Sequence, residues 1–255
     1  YVERINGIDS IVKNSNSRIQ RFSGYEQINF LQKIRYKPTE HFDIQYSFTY
    51  AGTGNAPRYD RLIQYRSGKL RFAEWNYGPM LWRMHNLQML HSKKNILYDD
   101  LRVTVAYQNY DESRIDRTRA SNNRNIQAEK VNAISVNIDA NKKMGKGDLF
   151  YGAEYVYNKV GSVGSKTNIT NNAVTPAVSR YPDGSTWNTS GIYGSYKINI
   201  IPVLTLTGGL RYSYNTLNAS FDTTFIKFPY QKAALKDGAF TGNLGLVYRP
   251  TTTWQ

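Results

Sequence analysis

The sequence predicts an all-β fold, an antiparallel transmembrane β-barrel, and three observations lead there. Apolar and polar residues alternate with period two through segment after segment, as in a sheet with one apolar and one polar face. The connections alternate between short turns and long stretches, and the long ones all fall at one end of the strands. Membrane barrels have that asymmetry. Finally, Tyr36, Tyr50, Tyr107, Tyr157, Tyr214, Tyr248 and Trp254 fall near strand ends, where aromatic girdles meet the two membrane interfaces.

The strands follow in order. Ile28, Phe30, Ile34 and Tyr36 alternate with Asn29, Lys33, Arg35 and Lys37. After a turn at 38–41, Phe42, Ile44, Tyr46, Phe48 and Tyr50 alternate with Asp43, Gln45, Ser47 and Thr49, which makes a hairpin. Leu101, Val103, Val105 and Tyr107 alternate with Arg102, Thr104, Ala106 and Gln108. The pattern returns at Ile134–Ile138, Leu149–Tyr157, Leu204–Tyr214 and Phe240–Tyr248. Residues 192–200 carry it more weakly. The apolar residues of 80–91 fit neither period, so a short helix is an alternative there. Roughly nine strands of about ten residues result. Residues 5–25 are polar and read as a loop, and 251–255 read as a turn feeding a further strand. Short turns are expected at 38–41, 92–95, 144–148, 201–202 and 250–253, and long loops at 52–70, 111–130, 161–188 and 216–238. With no initiator Met and no signal segment, the 255 residues read as a portion of one barrel domain.

Composition removes other classes. There is no Cys, which excludes disulfides and thiolate metal sites. No run of about 18 apolar residues exists for a helical span. At 40% hydrophobic the chain can bury surface and is not a disordered polymer. A soluble β-sandwich also alternates, and a propeller shares a period near fifty residues; neither accounts for the loop asymmetry.

Thirty-three basic residues against 19 acidic give a net charge of +14. The bases are scattered over β loops with no nucleic-acid module, so no nucleic acid is expected. On a membrane they suit anionic lipid or an anionic ligand. Candidate ligand contacts in the long loops are Arg58, Tyr59, Arg61, Tyr65, Arg66, Arg117, Arg119 and Arg180. By parity, Arg35, Lys37, Asp43, Arg102, Glu112, Arg114, Glu129, Glu154, Arg211 and Arg249 belong to the face away from lipid, as wall charges pairing with one another.

No catalytic site, metal or cofactor is expected. Gly52-Thr53-Gly54 lacks its third glycine, where Pro57 stands, and residues 161–167 have the wrong spacing for a phosphate loop. His85 and His91 are six apart, not the spacing of a helical zinc pair, and His41 lies in a short turn.

Several segments carry a resemblance. They are Trp75-Asn76-Tyr77-Gly78-Pro79, Ala106-Tyr107-Gln108-Asn109-Tyr110 with Glu112-Ser113-Arg114 and Arg117, Leu149 to Tyr155, Leu206 to Ser213, and Gly242 to Pro250. In this order and spacing the chain resembles the barrel domain of TonB-dependent outer-membrane receptors, in particular those of Bacteroidetes-type bacteria. The resemblance implies a 22-stranded barrel closed by a plug, of which this chain is an internal portion without plug or TonB box. It implies a bacterial outer-membrane active transporter, not an enzyme, that takes up a scarce nutrient such as a siderophore, haem or cobalamin. An oligosaccharide or peptide is the wider alternative. The implied partners are the TonB complex through the plug, outer-membrane lipid and lipopolysaccharide, a small nutrient ligand, and room for a surface lipoprotein. The competing readings are a passive porin-like or structural barrel and a secreted β-rich adhesin or carbohydrate-binding module.

Overall fold

The computed structural model describes residues 1–251. The expected turn at 251–255 and the girdle position Trp254 lie mostly or wholly outside the described residues. The chain begins with a small hairpin, β1 (Val2–Ile5) and β2 (Ile8–Ile11). The first long hairpin is β3 (Gln27–Thr39) and β4 (Phe42–Thr53). A folded insertion comes next: β5 (Ala56–Pro57), α1 (Tyr59–Leu62), β6 (Tyr65–Arg66) and β7 (Lys69–Leu70). Then come β8 (Phe72–Tyr77), β9 (Met80–Ser92), β10 (Asp100–Thr118), β11 (Asn123–Met144) and β12 (Gly147–Asn168). Last are β13 (Val174–Ala177), β14 (Ser185–Ile201), β15 (Leu204–Ser220) and β16 (Lys232–Tyr248).

The main sheet has 12 strands, and its spine runs β16-β15-β14-β12-β11-β10-β9-β4-β3, all antiparallel. Spatial order follows chain order, so the sheet is a meander of hairpins. Among the described residues β3 and β16 pair on one side only and form open edges. The register fixes two faces. Val103, Ile138, Ala153, Ile192, Tyr212 and Phe240 line up across six strands on the apolar face. Arg102, Asp139, Gly152, Tyr193, Arg211 and Thr241 line up on the polar face. Hardly any of the described residues is buried: among their apolar side chains only Val2, Leu70, Phe72, Ala106 and Ala140 are. Leu210 is 71% exposed, Phe240 80% and Leu244 79%. A single layer with bare apolar side chains along one face is stable only against lipid, with its backbone groups satisfied in the ladder.

One open alternative is decided and three expectations are corrected. Residues 80–92 form a strand, not a helix; apolar residues on both faces erase the alternation. Residues 5–25 are not all loop, because Asn6 (φ 48°) and Gly7 (φ 79°) form the tight turn of the β1–β2 hairpin. An Asn-Gly pair between short strands is the signature of such a turn. The strands reach 17 to 22 residues in β10, β11, β12, β14, β15 and β16, well past ten. The loop at 111–130 is therefore only residues 119–122, and those at 161–188 and 216–238 shrink to 169–184 and 221–231. The 52–70 stretch is folded into short strands and one helical turn.

Candidate functional site

The polar face carries paired charges. Arg35 donates to Asp43 through Nε (2.9 and 3.0 Å) and Nη2. Arg211 donates to Glu154 on β12 and to Ser213 Oγ at 2.8 Å, and the Tyr193 hydroxyl donates to Asp139. Arg102 stands opposite Asp139 in register. Asp43, Gln45, Gln88, Thr104, Asn137, Glu154 and Ser213 continue the face from β4 to β15. This wall is a hydrophilic surface with its charges locally neutralised.

Toward the long-loop end the same face gathers arginines and aromatics. Trp75 and Tyr77 on β8 meet edge-on, with ring centroids 5.0 Å apart. The Arg58 guanidinium lies over both rings at 5.4 and 5.1 Å, Arg61 over Trp75 at 5.7 Å, and Arg114 over Tyr77 at 5.1 Å. The faces of these rings are electron-rich and attract cations. Arg58 also donates to Asp60 (2.7 and 2.6 Å) and to the Tyr77 hydroxyl (3.0 Å). The pairing with Asp60 holds that carboxyl below its usual range. Tyr59 opens α1, while Tyr65 and Arg66 are exposed on the β6–β7 hairpin, which turns at Ser67 (φ 50°) and Gly68 (φ 74°).

One step nearer mid-strand, Glu112 and Glu129 face each other across β10 and β11. Arg180, from the 178–184 loop, donates to Glu112 Oε1 at 3.1 Å and lies 3.9 Å from Glu129 Oε2. The Tyr110 hydroxyl donates to Glu112 Oε2 at 3.0 Å. Burial pushes the Glu129 carboxyl above its ordinary value; Arg180 opposes this and Glu112 adds to it. A single arginine thus ties an outer loop to two carboxylates of the wall.

Arg117 has a different position from the other loop candidates. It sits on the opposite face, 3% exposed, and donates to Asp9 (2.7 and 3.0 Å), Glu74 (2.8 Å) and the Ser121 carbonyl (2.9 Å). Arg124 donates to Glu74 at 2.6 Å, and Arg4 to Asp9 at 3.3 Å. Burial works against the Asp9 and Glu74 carboxylates, but the arginine hydrogen bonds outweigh it and lower both carboxyls. The cluster fastens the β1–β2 hairpin to the tips of β8 and β10. A cleft of about 520 Å³ lies at this junction, lined by Val2, Phe22, Leu62 and Trp75 among others. Arg119 stands beside it, its backbone N–H donating to the Arg71 carbonyl at 2.9 Å.

The three histidines stay apart. His85 Nδ1 is 2.7 Å from the Tyr46 hydroxyl, His91 Nδ1 is 2.9 Å from that of Tyr98, and His41 Nδ1 is 2.9 Å from the Ser92 carbonyl. Among the described residues no group of three or more His, Asp or Glu is arranged to hold a metal.

A meander of long strands with one apolar and one charged face has known relatives. The family model for the TonB dependent receptor-like β-barrel matches residues 14–255. The chain belongs to this family. It is similar in structure to the copper transporter OprC, with TM-score 0.71 and 13% identity over 90% of this chain and 35% of that one. It is also similar to the ferric yersiniabactin uptake receptor FyuA from Yersinia pestis, with TM-score 0.64, 14% identity, and 91% and 36% of the two chains covered. The Serratia marcescens hemophore receptor HasR aligns with TM-score 0.55 and 12% identity over 89% and 34%. A search of curated proteins gave no match. The chain thus spans about a third of the length of these receptors. As a TonB-dependent receptor barrel it sits in the bacterial outer membrane, where the apolar face of the sheet meets lipid. The Arg–aromatic group could not have been found from alternation alone. It is assembled by the fold of residues 54–71 over β8, although the Trp75–Tyr77 segment was itself one of the motifs behind the resemblance.

Proposed function

We propose that this chain forms part of the wall of an outer-membrane active transporter, coupled to TonB through a plug domain supplied by further chain, that imports a scarce metal chelate. The family match over residues 14–255 carries this reading. The polar face then lines the lumen, where Arg35, Arg102, Glu154 and Arg211 stay solvated or paired. Short turns face the periplasm. The long-loop end faces outward and presents Arg58 and Arg61 against the Trp75–Tyr77 rings, with Tyr59, Tyr65, Arg66, Arg119 and Arg180 as further candidates from the same end. Guanidinium groups over aromatic faces suit an anionic, partly aromatic ligand. Solved relatives are described as handling copper, ferric citrate and ferric yersiniabactin, which supports a metal or its chelate as the cargo. A surface lipoprotein is a further candidate partner at the same end. No covalent step is required of the wall.

The test is uptake of labelled metal chelates by cells that carry the full-length protein, with and without TonB and with a proton uncoupler. Uptake that stops in both conditions supports the reading. Uptake indifferent to both would make the protein a passive pore.

A further inference from the structure

On the polar face two unlike charges are buried without hydrogen-bond partners, one row apart. Glu112 and Glu129 face each other across β10 and β11, and like charges directly opposite destabilise a sheet. The Glu129 side chain is 5% exposed, and neither of its carboxylate oxygens accepts a hydrogen bond among the described residues. One pair farther out, Arg114 stands opposite Gln127. Its guanidinium lies over Tyr77, and its buried Nε has no acceptor among the described residues. The Nε of Arg61, whose guanidinium lies over Trp75, is a second such donor. A buried polar group without a partner lowers stability until one arrives. Arg114 and Glu112 are two residues apart on one strand face, so the basic and acidic rows lie roughly 7 Å apart.

Arg180 answers the acidic row only in part. Its Nη1 donates to Glu112 at 3.1 Å and stays 3.9 Å from Glu129. It arrives on residues 178–184, which join β13 to β14 beside β12 and fold over the polar face. That fold-over is fixed by other groups. The Tyr181 N–H donates to Ser162 Oγ at 3.2 Å, and the Gly184 N–H to the Val160 carbonyl at 2.9 Å. Asp183 is engaged by the Ser162 N–H at 2.9 Å. A Cβ on Gly164 would lie 2.1 Å from the Val178 carbonyl oxygen, so the loop backbone rests directly on the wall there. The Arg180 side chain can therefore leave Glu112 while its loop stays in place. The Tyr181 ring, 4.8 Å from the guanidinium, remains beneath it as a support.

We infer that these rows recognise a zwitterionic, amino-acid-like or peptide-like group, its carboxylate held by Arg114 and Arg61 and its cationic nitrogen by Glu112 and Glu129, and that Arg180 is the internal occupant it displaces. An ammonium has three donors and a guanidinium five, enough for both carboxylates at once, where Arg180 donates to one. Each orphaned group then gains a charge-assisted hydrogen bond. A purely anionic ligand would satisfy the arginines, leave Glu129 without a partner, and be repelled by the acidic row. The inference rests on the transport reading for the identity of the occupant as cargo, and it narrows that cargo to a chelate carrying such a group.

The experiment titrates the full-length receptor in detergent with three probes of equal chain length, followed by ligand-observed NMR. They are 6-aminohexanoate, which carries both charges, hexanoate, which lacks the cation, and hexylammonium, which lacks the anion. The zwitterion is expected to bind roughly tenfold tighter than either, the worth of one charge-assisted hydrogen bond. Glu129→Gln keeps the shape of the side chain and should cost the zwitterion about that same factor while leaving hexanoate unchanged. Arg180→Ala removes the internal occupant and should tighten zwitterion binding. Lys159→Gln, on the opposite face, should change nothing. The inference is overturned if the three probes bind alike, if the zwitterion does not bind, if Glu129→Gln binds it like the reference, or if Arg180→Ala weakens it. Uptake separates the two readings. Zwitterion preference without TonB-dependent uptake removes the transport reading and keeps the site; TonB-dependent chelate uptake without that preference removes the site and keeps transport.

Discussion

Replacing Arg117 by alanine leaves the Asp9 carboxylate, whose side chain is fully buried, without its main partner. Removing one member of a buried pair costs about 3–5 kcal/mol, because the other charge remains desolvated. The cost falls locally, on the β1–β2 hairpin and β8. Hydrogen exchange in residues 2–11 should therefore rise sharply in Arg117→Ala while β11 and β12 are unaffected. Exchange unchanged in residues 2–11 would mean that the hairpin is held by something else. The carboxyls of Asp9 and Glu74 lie below their ordinary values of 3.8 and 4.5. Their contribution is thus complete above those values and lost as pH falls through the lower folded ones, so the hairpin should stay docked at mildly acidic pH. Glu129 works in the opposite direction. Its folded carboxyl titrates above the ordinary 4.5, so the folded state holds a proton that the unfolded chain has released. Stability falls as pH rises from 4.5 through the raised value. Glu129→Gln should remove that slope and stabilise the protein at neutral pH by on the order of 1 kcal/mol. Thermal unfolding in detergent between pH 4 and 8 would check it, and a slope that persists in the variant would refute it.

At the scale of the strand, one residue of parity decides whether a side chain meets lipid. Val105 lies level with Leu87, Val136 and Tyr155 on the apolar face, and Thr104 with Gln88, Asn137 and Glu154 on the polar one. Arginine at the first costs about 2–4 kcal/mol near mid-bilayer. Val105→Arg should therefore block assembly while Thr104→Arg is far milder, as read by heat-modifiable mobility after insertion. Equal outcomes would reverse the face assignment. The same physics explains what could be read from the sequence. Inside the lipid band, one face must be apolar, so Leu101–Tyr107 and Ile134–Ile138 announce themselves. Above the band both faces are wet, and Asp111–Thr118 and Asn123–Lys130 lose the alternation while remaining strand. From the sequence they therefore read as loop. Asn6-Gly7 carries the signature of a hairpin turn even though the polar residues around it read as loop. The site was less visible than the fold: Arg58 and Arg61 were named as ligand contacts, but nothing local to them showed that they would fold back onto Trp75. Arg117, named with them, proved to be buried in a structural cluster.

For the molecule as a whole, the sheet's two open edges set the terms. Among the described residues, β3 and β16 each expose an unpaired row of backbone donors and acceptors along 13 and 17 residues. In hydrocarbon such groups have no water to bind, and open edges do not occur there. The nine-strand spine must close through strands outside it or on itself, and single-chain bacterial barrels have even strand counts. Alignment to only 35% of OprC and 36% of FyuA favours the first. The thin interior agrees, since a wall with only five buried apolar residues among those described has little of its own to pack against. Residues 1–255 expressed alone should therefore fail to form a heat-modifiable monomer in detergent. They should stay protease-sensitive along β3 and β16, whereas the same residues within the full-length receptor resist digestion. A compact, heat-modifiable monomer from these residues alone would show that β3 pairs with β16. The lumen would then be too narrow for a plug, and the TonB-coupled reading would fall with it.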